Sequence, residues 1–186
     1  AWADIYSHEP GALIPPNFVE TGPVLENIMT GENIDVLAFP SPMWHEDDGG
    51  RYIGTGTYSV TVDPDEGWYN LGSYRAMVVD KSTVCFNTAP GKHGRIHLEK
   101  AAAKGEKMPV AIVVGSDPMS FIMGGYEIPD GISEFDVLGG LRGNPVDLVR
   151  GKFTGLPFPA NAEIVIEGYV DPEQLIPEGP FGDWCG

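Results

Sequence analysis

The sequence predicts a β-rich α+β fold, a small β-barrel with two inserted helices. Three observations carry that expectation. Glycine and proline number 25 and 17 among 186 residues and cut the chain into short pieces. Several of those pieces alternate apolar and polar residues with the period of a strand. Only two segments combine helical spacing or a helix cap with good helix-forming residues.

Residues 1–45 contain Pro10, Pro15, Pro16, Pro23, Pro40 and Pro42, which interrupt any long element. This segment is expected to wrap or link, leaving a folded domain over 46–186. In 52–62, Tyr58, Val60 and Val62 fall on one face and Thr57, Ser59 and Thr61 on the other, as in a strand. A second strand over 73–79 turns at Asp80-Lys81 and returns through 82–86, placing Arg75 on a face with Met77 and Val79. Leu98, Ala101 and Ala102 give 94–104 a helical period, with Gly105 as its stop. The apolar run 109–114 suits a strand buried on both faces. Ser133 can cap a second helix, with Asp136 reaching back as in a capping box. In 162–170, Ala162, Ile164, Ile166 and Val170 oppose Glu163 and Glu167, a last strand.

Acidic residues outnumber basic ones 27 to 11, for a net charge of −16, which repels polyanions and excludes nucleic acid as a partner. No apolar run approaches the roughly 20 residues of a membrane helix, and no basic stretch precedes an apolar one at the start. A soluble, cytoplasmic protein is expected, with no membrane partner. Cys85 and Cys185 are too few for a disulfide framework or a cysteine zinc site. They read as small buried hydrophobes. A start at Ala1 and an end at Cys185-Gly186 read as a piece of something longer.

Four constellations could carry chemistry. Asn70 and Arg75 lie five residues apart in Trp68-Tyr69-Asn70-Leu71-Gly72-Ser73-Tyr74-Arg75. Arg75 is either an edge-strand arginine in water or a bidentate clamp for a carboxylate. His93 and His97 share a helix face at i and i+4, but the glutamate of a zinc peptidase is missing from His93-Gly94-Arg95-Ile96-His97. His93 alone remains a candidate ligand, or an ordinary surface histidine. Met123-Gly124-Gly125-Tyr126, ahead of Ser133-Glu134, offers either a turn or a close backbone approach to a phosphate beside a helix N-terminus. Glu178-Gly179-Pro180-Phe181-Gly182-Asp183 holds two carboxylates that a rigid turn could drive to different pKa values, or two solvated acids.

In this order and spacing the four resemble the UbiD family of reversible decarboxylases, together with Asp48-Gly49-Gly50-Arg51-Tyr52, the approach from Pro90 to His93, and Ile128-Pro129-Asp130-Gly131-Ile132-Ser133-Glu134. The match runs from about Gly31 to the end. The resemblance implies a split β-barrel of the flavin reductase-like type that binds prenylated FMN. It implies a divalent metal, manganese, on Asn70, His93 and Glu134, bridging to the flavin phosphate. It implies potassium on carbonyls matching Leu71, Met123, Gly124 and Tyr126, and on Glu134. The cofactor would meet Asn70, Gly72, Ser73, Arg75, Lys92, His93, Gly124, Gly125, Tyr126 and Glu134.

Arg75, Glu178 and Asp183 match the family's catalytic network. By the resemblance Arg75 orients the substrate carboxylate, Glu178 delivers the proton that replaces CO2, and Asp183 holds Arg75 and tunes Glu178. The family also implies an aromatic or α,β-unsaturated acid as substrate, a flavin prenyltransferase as cofactor supplier, a homo-oligomeric parent, and flanking domains beyond this chain. Leu71 stands where the family often has tryptophan, and Asp183 in place of glutamate points towards hydroxylated aromatic acids. Two other classes remain: a flavin reductase-like oxidoreductase, which would turn over NAD(P)H, and a non-catalytic flavin-binding subunit of a multi-subunit carboxylase.

Overall fold

The computed structural model of the chain describes residues 13–182. Its strands form three sheets. The four-stranded sheet has the order β10 (Ile164–Val170), β7 (Met108–Val114), β3 (Thr57–Val62) and β4 (Tyr69–Gly72), antiparallel throughout. A second sheet joins β2 (Arg51–Gly54), β5 (Ala76–Asp80) and β6 (Thr83–Val84). In the third, β1 (Asn17–Phe18) runs parallel to β8 (Asp147–Arg150), which pairs with β9 (Pro157–Pro159). Three α-helices complete the described residues: α1 (His93–Ala103), α2 (Pro118–Gly124) and α3 (Glu134–Arg142).

β7 explains the layering. Its run of apolar residues has no polar face, so it must be covered twice. Ala111 and Val113 enter a core with Tyr58, Val60, Leu71, Phe135, Leu138, Leu148 and Phe158. Val110 and Ile112 enter another with Ile53, Ala76 and Val78. The expected burial on both faces is therefore met. The flanking helices also form where expected: α1 ends before Gly105, whose positive φ of 72° supplies the stop. Ser133 Oγ caps α3 by accepting from Phe135 N at 3.3 Å.

The continuous strand expected over 52–62 is broken at Thr55-Gly56 into β2 and β3, which belong to different sheets. A side chain at Gly54 would strike Thr57, so the chain bends there and changes sheet. The strand expected over 73–79 begins only at Ala76, and Tyr69–Gly72 is a strand of its own. Arg75 thus lies in the link between β4 and β5 and not on a strand face with Met77 and Val79. Helix α2 was not expected; Asp117 caps it by accepting from Met119 N at 2.6 Å, and Pro118 opens it.

From residue 13 the chain runs along the third sheet. Asn17 N and Val19 N donate to Val146 O and Leu148 O at 2.9 and 2.8 Å, and Val36 N reaches Lys81 O at 2.8 Å. Among the described residues no helix is long and apolar enough to cross a membrane.

Candidate active site

The end of β4, the loop into α1, the end of α2 and the start of α3 surround a cleft of about 740 Å³. Asn70, Leu71, Gly72, Ser73, Arg75, Lys92, His93, Gly124, Gly125, Tyr126 and Glu134 all line it. Met123 lies buried behind them. Asp183 lies outside the described residues.

The positions of two glycines are dictated by Tyr74. Its ring lies against Gly72 and Gly94, and a Cβ at either would collide with it. The Tyr74 hydroxyl accepts from Gly94 N at 3.0 Å, close to the start of α1. Ser73 N donates to Gly124 O at 2.7 Å, tying the wall of β4 to the end of α2.

One end of the cleft carries a carboxylate clamp. Arg75 Nε and Nη2 donate to Glu178 Oε1 and Oε2, both at 2.8 Å, the two-pronged geometry that guanidinium and carboxylate favour. Tyr52 Oη donates to Oε1 at 2.8 Å and Asn87 Nδ2 to Oε2 at 2.5 Å. Burial alone would raise the Glu178 pKa. The bonds from Arg75, Tyr52 and Asn87 outweigh it and hold the carboxyl below its usual range, as an anion. Arg75 also lies over the Phe181 ring, 5.2 Å from its centroid. Glu178 therefore anchors Arg75.

The strap that bears Glu178 is pinned from residues 45–49. Gly49 N donates to Pro180 O at 2.7 Å and Gly182 N to Asp48 Oδ1 at 3.1 Å, while Phe181 packs on Tyr52 with centroids 4.5 Å apart. A Cβ at Gly49 would run into the Gly179 carbonyl, which is backbone and cannot swing aside. Gly49→Ala is expected to cost about 1–3 kcal/mol and to displace Glu178. Thermal unfolding and activity, measured together, check this.

The other end is built around Glu134, a buried side chain whose Oε2 accepts from Leu71 N at 2.8 Å. Burial pushes its pKa up to about 8, against the lowering effect of that bond. Asn70 and His93 line the same cleft. His93 Nε2 meets Asp130 Oδ1 at 2.7 Å, and its ring stands edge-on to Trp68. His97 does not join it as a ligand pair: the rings stack 6.5 Å apart, and His97 Nδ1 is engaged with Thr61. Among the described residues no three His, Cys, Asp or Glu side chains cluster around one point. The donor set is mixed: an amide, an imidazole and a carboxylate, with a buried acid whose charge a cation would stabilise. That set fits a hard divalent ion which takes its remaining oxygens from a ligand such as a phosphate.

Residues 17–186 match the UbiD family, described as the 3-octaprenyl-4-hydroxybenzoate carboxy-lyase Rift-related domain. The chain belongs to the UbiD family. Among its relatives, pyrrole-2-carboxylic acid decarboxylase of Pseudomonas aeruginosa is 40% identical over 173 residues, 93% of this chain and 35% of that protein. Ferulic acid decarboxylase 1 of Candida dubliniensis is 34% identical over 98% of this chain and 36% of its own length. Vanillic acid decarboxylase of Sedimentibacter hydroxybenzoicus in closed form superposes with a TM-score of 0.90 at 30% identity, over 100% of this chain and 40% of that one. The UbiD-class enzyme HmfF of Pelotomaculum thermopropionicum, in an evolved dimeric form in complex with prenylated FMN, gives a TM-score of 0.86 at 30% identity, over 92% of this chain and 40% of that one. The chain spans a little over a third of the length of these curated relatives.

Within this UbiD chain, sequence reading missed Tyr52 and Asn87, the second and third donors to Glu178, and Phe181, the ring under Arg75. Tyr52 sat in an apolar strand pattern and Asn87 in a loop without periodicity, so neither offered a signal. In the sequence His97 reads only as a partner for His93.

Proposed function

We propose that this chain is the cofactor-binding and catalytic-network domain of a prenylated-FMN-dependent decarboxylase acting non-oxidatively, and reversibly, on an aromatic or α,β-unsaturated carboxylic acid. The observation that carries it is the Arg75–Glu178 clamp opening on a glycine-walled cleft whose far end holds Asn70, His93 and Glu134. A guanidinium held by one carboxylate at a cleft is placed to receive another. In the parent protein the three sheets would serve as the split barrel, with residues 1–45 as wrapping segment and 46–186 as the domain proper.

Asn70, His93 and Glu134 would hold Mn2+, and through it the flavin phosphate. Leu71, Met123, Gly124 and Tyr126 carbonyls, with Glu134, would hold K+. Lys92, Gly72, Ser73 and Gly125 complete the wall. Prenylated FMN, when bound, supplies the sink for the electron pair released as CO2 departs. Arg75 would bind the substrate carboxylate and fix its orientation in the cleft. As Arg75 turns towards the substrate its hold on Glu178 weakens and the Glu178 pKa rises towards its ordinary value. Glu178 can then carry the proton that replaces CO2, with Asp183 as the second acid of the network. A flavin prenyltransferase would supply the cofactor, and the parent would be a homo-oligomer.

The test is co-expression of the full-length protein with a flavin prenyltransferase in manganese-supplemented medium, followed by absorption spectroscopy and mass analysis. About one prenylated FMN per chain, lost in His93→Ala and Glu134→Gln, is the expected result. Bound flavin with NADH or NADPH oxidation and no CO2 exchange on aromatic acids would make it a reductase. No flavin at all would remove the metal and phosphate assignment.

A further inference from the structure

We propose that Thr61 and His97 lock the side-chain amide of Asn70 so that Oδ1, and not Nδ2, faces the cleft. As a statement about a cation ligand, this rests on the assignment of Asn70 to the metal. An asparagine amide has an oxygen on one side and a nitrogen on the other, and only the oxygen can ligate a hard cation. A ligand that could flip would spend part of its time presenting hydrogen atoms to the ion. Something must decide which way it points.

The chain of contacts begins with a charge. Asp63 is buried, and its carboxylate accepts from Lys100 Nζ at 2.6 Å, Asp65 N at 2.8 Å and Glu66 N at 3.0 Å. Burial would raise its pKa, but Lys100 and the two backbone groups outweigh it and bring it to about 2. Asp63 is an anion at neutral pH. Its Oδ2 lies 3.6 Å from Nε2 of His97, a fully buried ring; the contact is electrostatic, since Nε2 has no hydrogen-bond partner among the described residues. An imidazolium is disfavoured in a fully buried ring, so His97 is neutral and only one nitrogen bears hydrogen.

A bare lone pair on Nε2 would face the Asp63 anion, so the hydrogen sits on Nε2 and Nδ1 is an acceptor. Thr61 Oγ1 lies 2.9 Å from that Nδ1, and Thr61 is itself fully buried. The hydroxyl must donate its single hydrogen to Nδ1, leaving Thr61 Oγ1 able only to accept. Asn70 Nδ2 donates to it at 3.2 Å. An amide oxygen turned towards Thr61 would meet another oxygen with no hydrogen between them, a buried clash of acceptors that costs far more than the bond it replaces. The Asp63 charge sets the direction of the chain through His97 and Thr61, and the Tyr74 hydroxyl is a second hydrogen-bond partner of the Asn70 side chain. His97 and Thr61 are positioning residues: they touch neither cofactor nor substrate.

Two measurements test this on the full-length protein. In the metal-free state, selective 15N-histidine labelling reads the His97 tautomer directly, with the signal assigned by its loss in His97→Gln. Protonation on Nε2 is expected; protonation on Nδ1 overturns the proposal, because Thr61 would then be free to donate to an Asn70 oxygen. The second measurement is Mn2+ affinity by electron paramagnetic resonance titration. Thr61→Val and His97→Leu are expected to weaken binding by about 10–100-fold. Thr61→Ser and His97→Gln, which preserve the donor and acceptor order, are expected to restore it to near the wild-type value. Thermal unfolding of each variant separates a folding defect from lost orientation, and equal affinity in Thr61→Val and wild type, both folded, overturns the proposal. If the wild type itself takes no Mn2+, the cation assignment fails, and the tautomer then decides the Asn70 orientation by itself.

Discussion

Arg75→Lys in the cofactor-loaded, full-length protein is expected to lower kcat/KM by about 10²–10³-fold, the loss seen when a preorganised charge donor is taken from a reaction centre. Lysine keeps the charge but presents it as a point, so it can neither hold Glu178 through two parallel bonds nor present a planar fork to the substrate carboxylate. The structure shows why the effect is not one of charge alone. Nε and Nη2 are both committed to Glu178, each at 2.8 Å, and the guanidinium plane rests over Phe181. Flavin content is expected to fall far less than turnover, since the proposed phosphate anchor is at the opposite end of the cleft. Steady-state kinetics beside flavin stoichiometry checks both halves, and an equal fall in the two would place Arg75 in cofactor retention alone. Glu178→Gln makes the companion test. Because the folded Glu178 pKa is lowered, its ionised form contributes stability above the ordinary value of 4.5, and that contribution is lost as pH falls through the folded value. The glutamine variant should lose this acid-side dependence.

Glu134→Gln is expected to reverse a second dependence on pH. In metal-free protein, burial raises the Glu134 pKa from 4.5 to about 8. Below about pH 4.5 the acid is protonated folded or unfolded, and burial is without consequence. Between 4.5 and 8 the unfolded chain releases its proton while the folded chain retains it, so stability declines as pH rises and levels off above 8. The full difference corresponds to about 5 kcal/mol. Glutamine, neutral at every pH, removes the decline, so metal-free Glu134→Gln should melt higher than metal-free wild type at pH 8. Mn2+ should stabilise the wild type at that pH and leave the variant unchanged. Melting curves across pH 5–9, with and without Mn2+, read both effects. A wild-type curve that stays flat with pH in the absence of metal would contradict the burial of an ionisable Glu134.

How much of this could be read from residues alone follows from the range of each interaction. β7, α1, α3 and β10 are set by neighbours within a few positions, and period, caps and Gly105 announce them. The break at Thr55-Gly56 is different: no local rule says that Tyr52 and Tyr58 enter different cores, because the partners that separate them, Met77 and Val113, lie far along the chain. The short strands β1, β8 and β9 are too brief to show a period. The same holds at the site. Arg75 and Glu178 were legible as residue types, but the 103 positions between them hide their bond, and Tyr52 and Asn87 become donors to Glu178 only once the strap has folded across. The order Asp63, His97, Thr61, Asn70 needs coordinates, since each member alone reads as ordinary polar filling.

The pairing of β1 with β8 has a consequence in time as well as in space. Asn17 and its partner Asp147 are 130 residues apart. At a synthesis rate of about 5–20 residues per second, β1 leaves the ribosome roughly 7–26 s before the strand it joins. Throughout that interval its edge is open to any other strand nearby. Pro15 and Pro16, immediately before it, lack the N–H that a wrong partner would need. A stretch that looks like an idle linker would then also act as a guard, keeping an early strand single until its late partner arrives.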